Sequence, residues 1–270
     1  MSGDTGRTKD RENTMRNEAP VAFVTGAGRG IGRAIARALA AKGFRLIAND
    51  LASSPDLDAT VADLRRGGAD VAAVPGDIAD LAGHGRLTDT AWAAFGRIDC
   101  LVNNAGISVK TRGDIFDVSP ESFDRLIGTN LRGPFFLTQA VARRMVDTPS
   151  PAFRSIITIS SMNAEAASPD RAEYCISKIG LSMMSRVYAL RLAAERIHAY
   201  EIRPGVIRTD MTAVARERYD RMFAEGFAPI ARWGEPDDVG AAVASLASGA
   251  LAYTTGEVIH VDGGLSVAKL

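Results

Sequence analysis

The stretch Val21-Ala-Phe-Val-Thr-Gly26-Ala-Gly28-Arg-Gly30-Ile-Gly32 decides the fold. An apolar run typical of a buried strand passes into a glycine-rich turn and then into a helical pattern. Glycine lets the backbone approach a pyrophosphate, and a helix N-terminus supplies free N–H groups and positive dipole charge. A glycine turn by itself is also compatible with a purely structural role. In this context it predicts a dinucleotide site formed by Gly26, Gly28, Arg29, Gly30 and Ile31.

Beyond this stretch, short apolar runs rich in β-branched residues alternate with longer amphipathic runs. Such alternation is typical of βαβ units around a parallel sheet. The sequence therefore predicts an α/β fold, a doubly wound (Rossmann) sheet with helices on both faces, in a single domain over residues 20–270. Residues 1–19 are charged and lack the apolar segment of a secretory signal, so we expect a flexible N-terminal tail.

The periodicity places each predicted element along the chain. Strands are predicted at 21–25, 45–50, 71–75, 100–103, 155–160, 199–203 and 257–261. Helices are predicted at 30–42, 57–66, 81–95, 122–146, 171–196 and 236–248. The one long connection, residues 206–233, is rich in Met, Arg and Phe and is expected to act as a lid.

Composition excludes several classes of partner. The 32 Lys and Arg residues balance the 32 Asp and Glu residues, so no global positive field would attract nucleic acid or an anionic membrane. Neither Cys100 nor Cys175 has a Cys or His at metal-ligand spacing, which indicates a reducing compartment and no metal site. No apolar run approaches the length of a membrane span. We therefore expect a cytoplasmic protein that acts on a small molecule.

Acidic residues after two strands bear on the choice of cofactor. Asp50 ends the second strand about twenty residues beyond the glycine turn, where a carboxylate accepts the hydroxyls of an adenine ribose and repels a 2′-phosphate. This favours NAD, although Asp50 could instead cap the following turn and Arg29 could reach the phosphate of NADP. Asp77, just past the third strand, is placed to bond the adenine edge, or is a turn aspartate.

Tyr174 and Lys178 are four residues apart in a helical pattern, so their side chains share one face. A free phenol has a pKa of about 10, and a neighbouring ammonium favours the phenolate. Lys178 is therefore expected to tune Tyr174 as an acid/base. A surface pair at this spacing is common, so the assignment depends on the motifs around it.

Those motifs are Thr25-Gly-Ala-Gly-Arg-Gly-Ile-Gly32, Asn103-Asn-Ala-Gly106, Asn130, Ser160-Ser161 with Tyr174-Cys-Ile-Ser-Lys178, Pro204-Gly205 and Val261-Asp-Gly-Gly264. Together, and in this order, they resemble the short-chain dehydrogenase/reductase family over essentially all of residues 21–267. The resemblance implies a sheet of about seven parallel strands. It also implies hydride transfer between NAD(P) and a secondary alcohol or ketone without a metal, in a homotetramer or homodimer.

The resemblance also implies a role for each matching residue. Ser161 would bind the substrate oxygen, and Tyr174 would exchange its proton. Lys178 would hold the nicotinamide ribose, and Asn130 would hold a water that joins Lys178 to a proton path. Further cofactor contacts would come from Asp77, Ile78, Asn104, Ala105, Gly106, Pro204, Gly205, Ile207 and Thr209.

Departures from the family pattern concern the substrate. Arg203 and Tyr200 stand where members often carry a small residue and an asparagine, and Arg203 is expected to be a structural ion-pair partner rather than a substrate ligand. Asn163 and Glu165 suggest a polar, hydroxyl-bearing substrate, unless they are solvated loop residues. Predicted substrate contacts are Ser161, Ile107, Ser108, Met162, Asn163 and Met211.

Two alternatives stand beside the leading hypothesis of an NAD(H)-linked alcohol dehydrogenase or ketone reductase. The segment Arg232-Trp-Gly-Glu-Pro236 and the other motifs also resemble the NADPH-dependent 3-ketoacyl-carrier-protein reductases, against whose usual cofactor Asp50 speaks. A non-catalytic NAD-binding sensor could keep the same fold, since a fold does not prove a function. The presence of Ser161, Tyr174, Lys178 and Asn130 together argues against the sensor.

Overall fold

The computed structural model describes residues 18–52, 54–213 and 215–268. They form a seven-stranded parallel sheet in the order β3-β2-β1-β4-β5-β6-β7, with helices on both faces. The predicted doubly wound fold is therefore confirmed. The strand order reverses between β1 and β4, and this switch point leaves a crevice beyond the carboxyl ends of the strands.

The seven strands begin and end within about two residues of their predicted positions. The largest difference is β6, which begins two residues earlier because Ile197 pairs with Arg154 at the start of β5. The strands are β1 Val21–Thr25, β2 Arg45–Asn49, β3 Val71–Ala73, β4 Cys100–Asn103, β5 Arg154–Ile159, β6 Ile197–Pro204 and β7 Glu257–Val261.

Four predicted helices agree with the structure, the predicted helix 171–196 ends at Leu192, and two short helices, Asp210–Ala213 and Arg216–Ala224, lie where none was predicted. The stretch 122–146 differs most. There a π-helical turn, Gly128–Arg132, separates two α-helices that the sequence predicted as one. The α-helices are α1 Gly30–Ala41, α2 Pro55–Arg66, α3 His84–Phe95, α4 Pro120–Ile127, α5 Gly133–Asp147, α6 Ala172–Leu192, α7 Asp210–Ala213, α8 Arg216–Ala224 and α9 Pro236–Ala247.

Alternating side chains of the strands build a core on each face of the sheet. In β1, Ala22 and Val24 pack with α1 and α9 on one face, whereas Val21 and Phe23 pack with α3 and α5 on the other. Strands that are buried on both faces read as continuous apolar runs, which is why β1 was recognisable in the sequence. This double packing fixes the strand ends that carry the polar residues.

The connection between β6 and α9 contains two short helices and a small apolar cluster of its own. Phe223 of α8 and Trp233 are buried in this cluster together with Val206 and Ala228. Trp233 also donates a hydrogen bond from its indole nitrogen to Asp220, at 2.6 Å. The predicted lid is thus a segment with an apolar cluster of its own, and its opening stays a prediction.

Most of the predicted N-terminal tail, residues 1–17, lies outside the described residues. Its last two residues, Glu18 and Ala19, contact the domain, because their carbonyl oxygens accept hydrogen bonds from Arg97 at 2.8 Å. In the described parts of the chain, each helix is too short or too polar to span a bilayer.

Candidate active site

The glycine-rich turn leaves room for a ligand at the start of α1. Gly26 and Gly30 have φ of +63° and +51°, a region in which side chains are strained. A Cβ at Gly32 would lie 1.9 Å from the Gly26 carbonyl oxygen, so the turn closes on itself. Because α1 begins at Gly30 without a side-chain cap on Arg29, its first N–H groups are available to an anion. The turn therefore fits a pyrophosphate.

Asp50 follows β2 and lies directly against the glycine turn. One carboxylate oxygen accepts a hydrogen bond from the Gly28 N–H at 2.9 Å, and the other accepts from the Leu51 N–H at 2.8 Å. The carboxylate therefore stands at the edge of the candidate cofactor site and also caps its own turn. The capping interpretation of Asp50 is confirmed, and its contact with a ribose stays a prediction that is compatible with this geometry.

Arg29 is exposed and lies between two carboxylates. Its guanidinium is 4.0 Å from Asp56 of α2 and 3.7 Å from Asp210 of α7. These acids, together with Asp50, make the surroundings of the turn more negative than the sequence suggested. A ribose phosphate at this position would meet three carboxylates and one guanidinium.

Asp77 has the geometry of the turn aspartate that the sequence left open, Ile78 is buried, and their cofactor contacts stay predictions. The Asp77 carboxylate accepts a hydrogen bond from the Ala79 N–H at 2.8 Å, which is the geometry of a turn aspartate. The Ile78 side chain is buried in the core, and its carbonyl oxygen bonds to His84 at 2.7 Å. A contact from Ile78 to a cofactor would therefore have to come from its backbone, because apolar packing occupies the side chain.

The segment after β4 braces the site. The Asn104 amide donates to the carbonyl oxygens of Thr25 and Gly26 at 2.9 and 3.1 Å, and Ala105 packs against the core. Two side chains approach Gly106 closely, since a Cβ there would be 3.3 Å from Asn130 Oδ1 and 3.5 Å from Lys178 Nζ. A larger residue at 106 would thus crowd two of the predicted catalytic side chains.

The π-helical turn brings Asn130 into the interior. Its amide oxygen accepts from the Ile107 N–H at 2.8 Å, and its amide nitrogen donates to the Ile107 carbonyl at 2.9 Å and to Ser177 Oγ at 3.1 Å. Single π turns in helices often occur at functional sites. Ile107, a predicted substrate contact, is held by its backbone in this arrangement.

Ser161, Tyr174 and Lys178 converge beyond β5. The Ser161 hydroxyl is close enough to Tyr174 to lower the pKa of its phenol, and Lys178 Nζ lies 5.6 Å from the centre of the Tyr174 ring. Lys178 Nζ also donates to the carbonyl oxygen of Ile159, at 3.2 Å. All three side chains are buried, so a serine hydroxyl, a phenol and an amine lie together in one part of the protein interior.

Burial governs the protonation of this group. It raises the pKa of Tyr174, and the hydrogen bond from Ser161 and the charge of Arg171 offset part of that rise. Burial also lowers the pKa of Lys178 to about 8, against the opposing charge of Glu201. Tyr174 is therefore a neutral phenol at pH 7, the form that can donate a proton. The tuning of Tyr174 by Lys178 stays a prediction.

The residues after β6 border the same crevice. A Cβ at Gly205 would lie 2.7 Å from Asp262 Cα, so the backbone passes close to the end of β7 after Pro204. Thr209 faces the glycine turn, since a Cβ at Gly30 would be 3.5 Å from its methyl group. Ile207 is different from its neighbours because its side chain packs in the core.

Comparison with known proteins decides the family. The family described as enoyl-(acyl carrier protein) reductase matches residues 26–266. A 3-oxoacyl-[acyl-carrier-protein] reductase from Synechocystis sp. is 37% identical over 248 residues, which are 92% of this chain and 97% of that protein. The chain belongs to the short-chain dehydrogenase/reductase family.

Two solved structures of this family share the fold. A 3-oxoacyl-[acyl-carrier protein] reductase from Brucella melitensis in complex with NAD has a TM-score of 0.90 and 50% identity, covering 93% of this chain and 99% of that one. A gluconate 5-dehydrogenase from Burkholderia cenocepacia in complex with NADP and tartrate has a TM-score of 0.86 and 31% identity, covering 93% and 97%. The chain is thus an oxidoreductase of a metal-free, NAD(P)-dependent family that acts on ketone and alcohol groups.

For this member of the short-chain family, the prediction about Arg203 is confirmed. Its guanidinium donates to Glu201 at 2.7 Å, to Glu165 at 2.8 Å and to Ser182 at 2.8 Å. Glu201 is 1% exposed and also accepts hydrogen bonds from Ser160 and Ser182. Arg203 is therefore a structural ion-pair partner in a buried polar network with Glu201, Ser160 and Ser182.

Two predicted substrate residues have other roles or positions in the structure. The side chain of Asn163 is buried, and its amide donates to the Ala166 carbonyl at 2.8 Å, which makes it a brace of its own loop. Met211 in α7 is half exposed, and its contact with a substrate stays a prediction. Glu165 is a solvated residue and also the partner of Arg203, and its contact with a substrate hydroxyl stays a prediction.

Sequence reasoning missed two charged residues. Glu201 lies in an apolar strand pattern, and Arg171 lies just before α6. The Arg171 guanidinium is 5.3 Å from the centre of the Tyr174 ring, a cation–π distance. Residues three apart in a helix lie on one face, so the spacing of Arg171 and Tyr174 was a possible signal. Arg171, however, lies before the first turn of α6, where helical spacing is a weak guide to side-chain position.

Proposed function

We propose that this protein transfers a hydride between NAD(P) and a secondary alcohol or ketone, with Tyr174 as the acid/base. The observation that carries the proposal is the convergence of Ser161, Tyr174 and Lys178 in one buried volume beyond β5. Substrates of open α/β folds bind beyond the carboxyl ends of the strands, where these residues lie.

Each side chain has a distinct task in the reduction of a ketone. The cofactor, when bound, supplies the hydride to the carbonyl carbon. Ser161 donates a hydrogen bond to the carbonyl oxygen, and Tyr174 gives that oxygen its proton. Lys178 holds the ribose and favours the phenolate that remains, while Asn130 fixes the backbone of Ile107 beside it. Alcohol oxidation runs through the same groups in reverse.

We infer that the preferred cofactor is NAD. The carboxylate of Asp50 can accept hydrogen bonds from the ribose hydroxyls, a charge-assisted contact of about 1.5–3 kcal/mol. A 2′-phosphate carries roughly two negative charges and would be repelled by Asp50. Arg29 can offset this repulsion only in part, because Asp56 and Asp210 already lie near its guanidinium.

Replacing Asp50 with serine is expected to shrink or reverse the preference for NAD. The wild-type enzyme should favour NAD(H) by about tenfold or more in kcat/KM, which corresponds to about 1.4 kcal/mol. Initial rates with both cofactors measure this ratio. Asp58→Ser, an equal charge change on the exposed face of α2, is the matched control and should leave the ratio unchanged. Equal use of both cofactors by the wild type would show that Arg29 dominates.

The second candidate is a 3-oxoacyl-carrier-protein reductase. It is supported by the relatives from Synechocystis sp. and Brucella melitensis, whose names state this activity. A panel of ketones, sugars and 3-oxoacyl thioesters, assayed with NADH and with NADPH, separates the candidates. Turnover of thioesters alone would favour the reductase, whereas cofactor binding without any turnover would favour the sensor.

We also propose that the protein is a homotetramer or homodimer that pairs through its long helices. Exposed apolar residues recur every three or four positions along α6, as on a helix with two buried faces. Two residues predicted at this surface, Leu137 and Val141, are instead buried in the core of their own chain. The exposed apolar face of α6 consists of Ile176, Ile179, Met183, Val187 and Leu190.

A charged residue on this face is expected to reduce the size of the assembly. Leu190, whose side chain is 85% exposed, costs little in a folded monomer when it is replaced with glutamate. Light scattering at micromolar concentration should give two or four times 28.6 kDa for the wild type and less for Leu190→Glu. Phe116→Glu, an equally exposed change outside the face, is the control. A wild-type mass of 28.6 kDa would rule out the oligomer.

The place of action and the partners follow from the proposed reaction. The substrate is a small molecule, or a small group on a carrier, and we propose no nucleic-acid or membrane partner. The cytoplasm stays a prediction, supported by two free thiols, of which Cys100 is buried with its pKa raised by burial to about 12.

A further inference from the structure

Arg171 places a positive charge beside the catalytic tyrosine. Its side chain is half-buried just before α6, and its guanidinium lies over the Tyr174 ring at 5.3 Å. Its charge lowers the pKa of the Tyr174 hydroxyl, so the guanidinium is close to the atom that exchanges the proton. The roles proposed for Ser161, Tyr174, Lys178 and Asn130 leave this charge unused.

The hydrogen-bonding capacity of Arg171 is mostly unfilled. Its Nε donates to Ser168 Oγ at 3.1 Å, which uses one of the five N–H groups of a guanidinium. Within residues 18–52, 54–213 and 215–268, Arg171 forms no ion pair. The adjacent carboxylate, Asp170, is instead held by Arg112 at 2.8 Å and by Ser168 at 2.6 Å.

Residues on either side of Arg171 in the chain border a cavity that the Arg171 side chain itself does not line. Asp170 and Glu173 line this cavity of about 400 Å³ between the segment after β4 and the start of α6. Glu173 accepts a hydrogen bond from Ser122 Oγ at 2.8 Å, which ties its carboxylate to α4. The charge of Arg171 lowers the pKa of Asp170, but most N–H groups of the guanidinium have no partner among the described residues, and an anionic ligand would fill them.

We propose that Arg171 binds a carboxylate of the substrate, so that the enzyme interconverts a keto acid and its hydroxy acid. This inference rests on the proposed function, because it places the reacting carbonyl between Ser161 and Tyr174. The planar guanidinium matches a carboxylate in geometry and in charge. A phosphate carries roughly two negative charges, more than one unpaired guanidinium beside Asp170 offsets. The carboxylate itself does not react.

Matched pairs of substrates test the assignment. Oxo acids with the ketone at carbon 2, 3 or 4 are compared with their ethyl esters, in the wild type and in Arg171→Gln. We expect the KM for the accepted acid to rise about 10- to 100-fold in the variant, as for the loss of a charge-assisted hydrogen bond. The ester should be a poor substrate for both proteins, with values within about twofold of each other. Arg86→Gln, an exposed arginine of α3, should match the wild type.

A binding measurement keeps the test independent of turnover. Calorimetry of the NAD-loaded protein with malonate, and with neutral malonamide, asks whether an anion site exists. Malonate should bind the wild type and Arg86→Gln but not Arg171→Gln, and malonamide should bind none of them. Such binding without turnover of any ketone would leave the anion site standing and reject the proposed function.

Three results would overturn the inference about Arg171. The first is no malonate binding to the wild type, and the second is equal malonate binding to Arg171→Gln. The third is an equal loss for acid and ester in the kinetic assay, which would mean that Arg171 acts through Tyr174 rather than on the substrate.

Discussion

Tyr174→Phe is expected to reduce kcat by about 10²- to 10⁴-fold, the usual contribution of a positioned general acid. The ring, its contact with Lys178 and the surrounding packing all remain, and only the hydroxyl is lost. NADH binding, followed by its fluorescence, should therefore stay within a few-fold of the wild type. Burial keeps this phenol protonated until the substrate arrives, so its loss removes the donor itself.

A second tyrosine in the same helix provides the control. Tyr188 donates its hydroxyl to the Phe135 carbonyl at 2.9 Å, away from the catalytic group. Tyr188→Phe removes one hydrogen bond, with a cost of about 1 kcal/mol in stability and no specific effect on kcat. If Tyr174→Phe kept more than about a tenth of the wild-type kcat, another group would have to exchange the proton.

Arg203→Met is expected to destabilise the fold by about 3–5 kcal/mol, because it leaves Glu201 as a buried carboxylate without its cation. Ser160 and Ser182 would still donate to Glu201, but neither supplies charge. The free energy of unfolding, measured in urea, reports the loss. Glu165 is mostly exposed and would be released into water at little cost.

The double variant Arg203→Met with Glu201→Leu tests whether the two charges are energetically coupled. Removing both charges leaves no buried ion, so the double variant should be more stable than Arg203→Met alone. Additive losses from the two single variants would mean that the residues do not form a coupled pair. A loss below about 1 kcal/mol for Arg203→Met would mean that the guanidinium is not needed for folding.

Features of the structure that depend on a local sequence pattern can be predicted from the sequence. The strand Val21–Thr25 and the glycine turn are recognisable because burial on both faces and close backbone approach each restrict the residue type. Helical spacing places Tyr174 and Lys178 on one face, and the motifs around them distinguish the pair from a surface pair. In these cases the chemistry depends on neighbours within a few residues, which a sequence shows directly.

Contacts between elements that are far apart in the sequence cannot be predicted from local patterns. Glu201 meets Ser160 from β5 and Ser182 from α6, and nothing local in any of these segments indicates the others. Asn163 was assigned to the substrate because an amide near Ser161 looked available, yet its own loop uses it. The partner of a polar group is set by tertiary packing, so its availability could not be predicted.

The π-helical turn at Gly128–Arg132 acts as a phase shift between α4 and α5. Each residue turns an α-helix by roughly 100°, so a single helical wheel drawn through both helices misplaces the inward face of one of them. In genetic terms, the loss of one codon here would give an unbroken helix in which Leu137 and Val141 keep their inward face, because a π turn takes up one extra residue without extra rotation. The turn thus confines the effect of an inserted residue to Gly128–Arg132 and leaves the packing of both helices in frame.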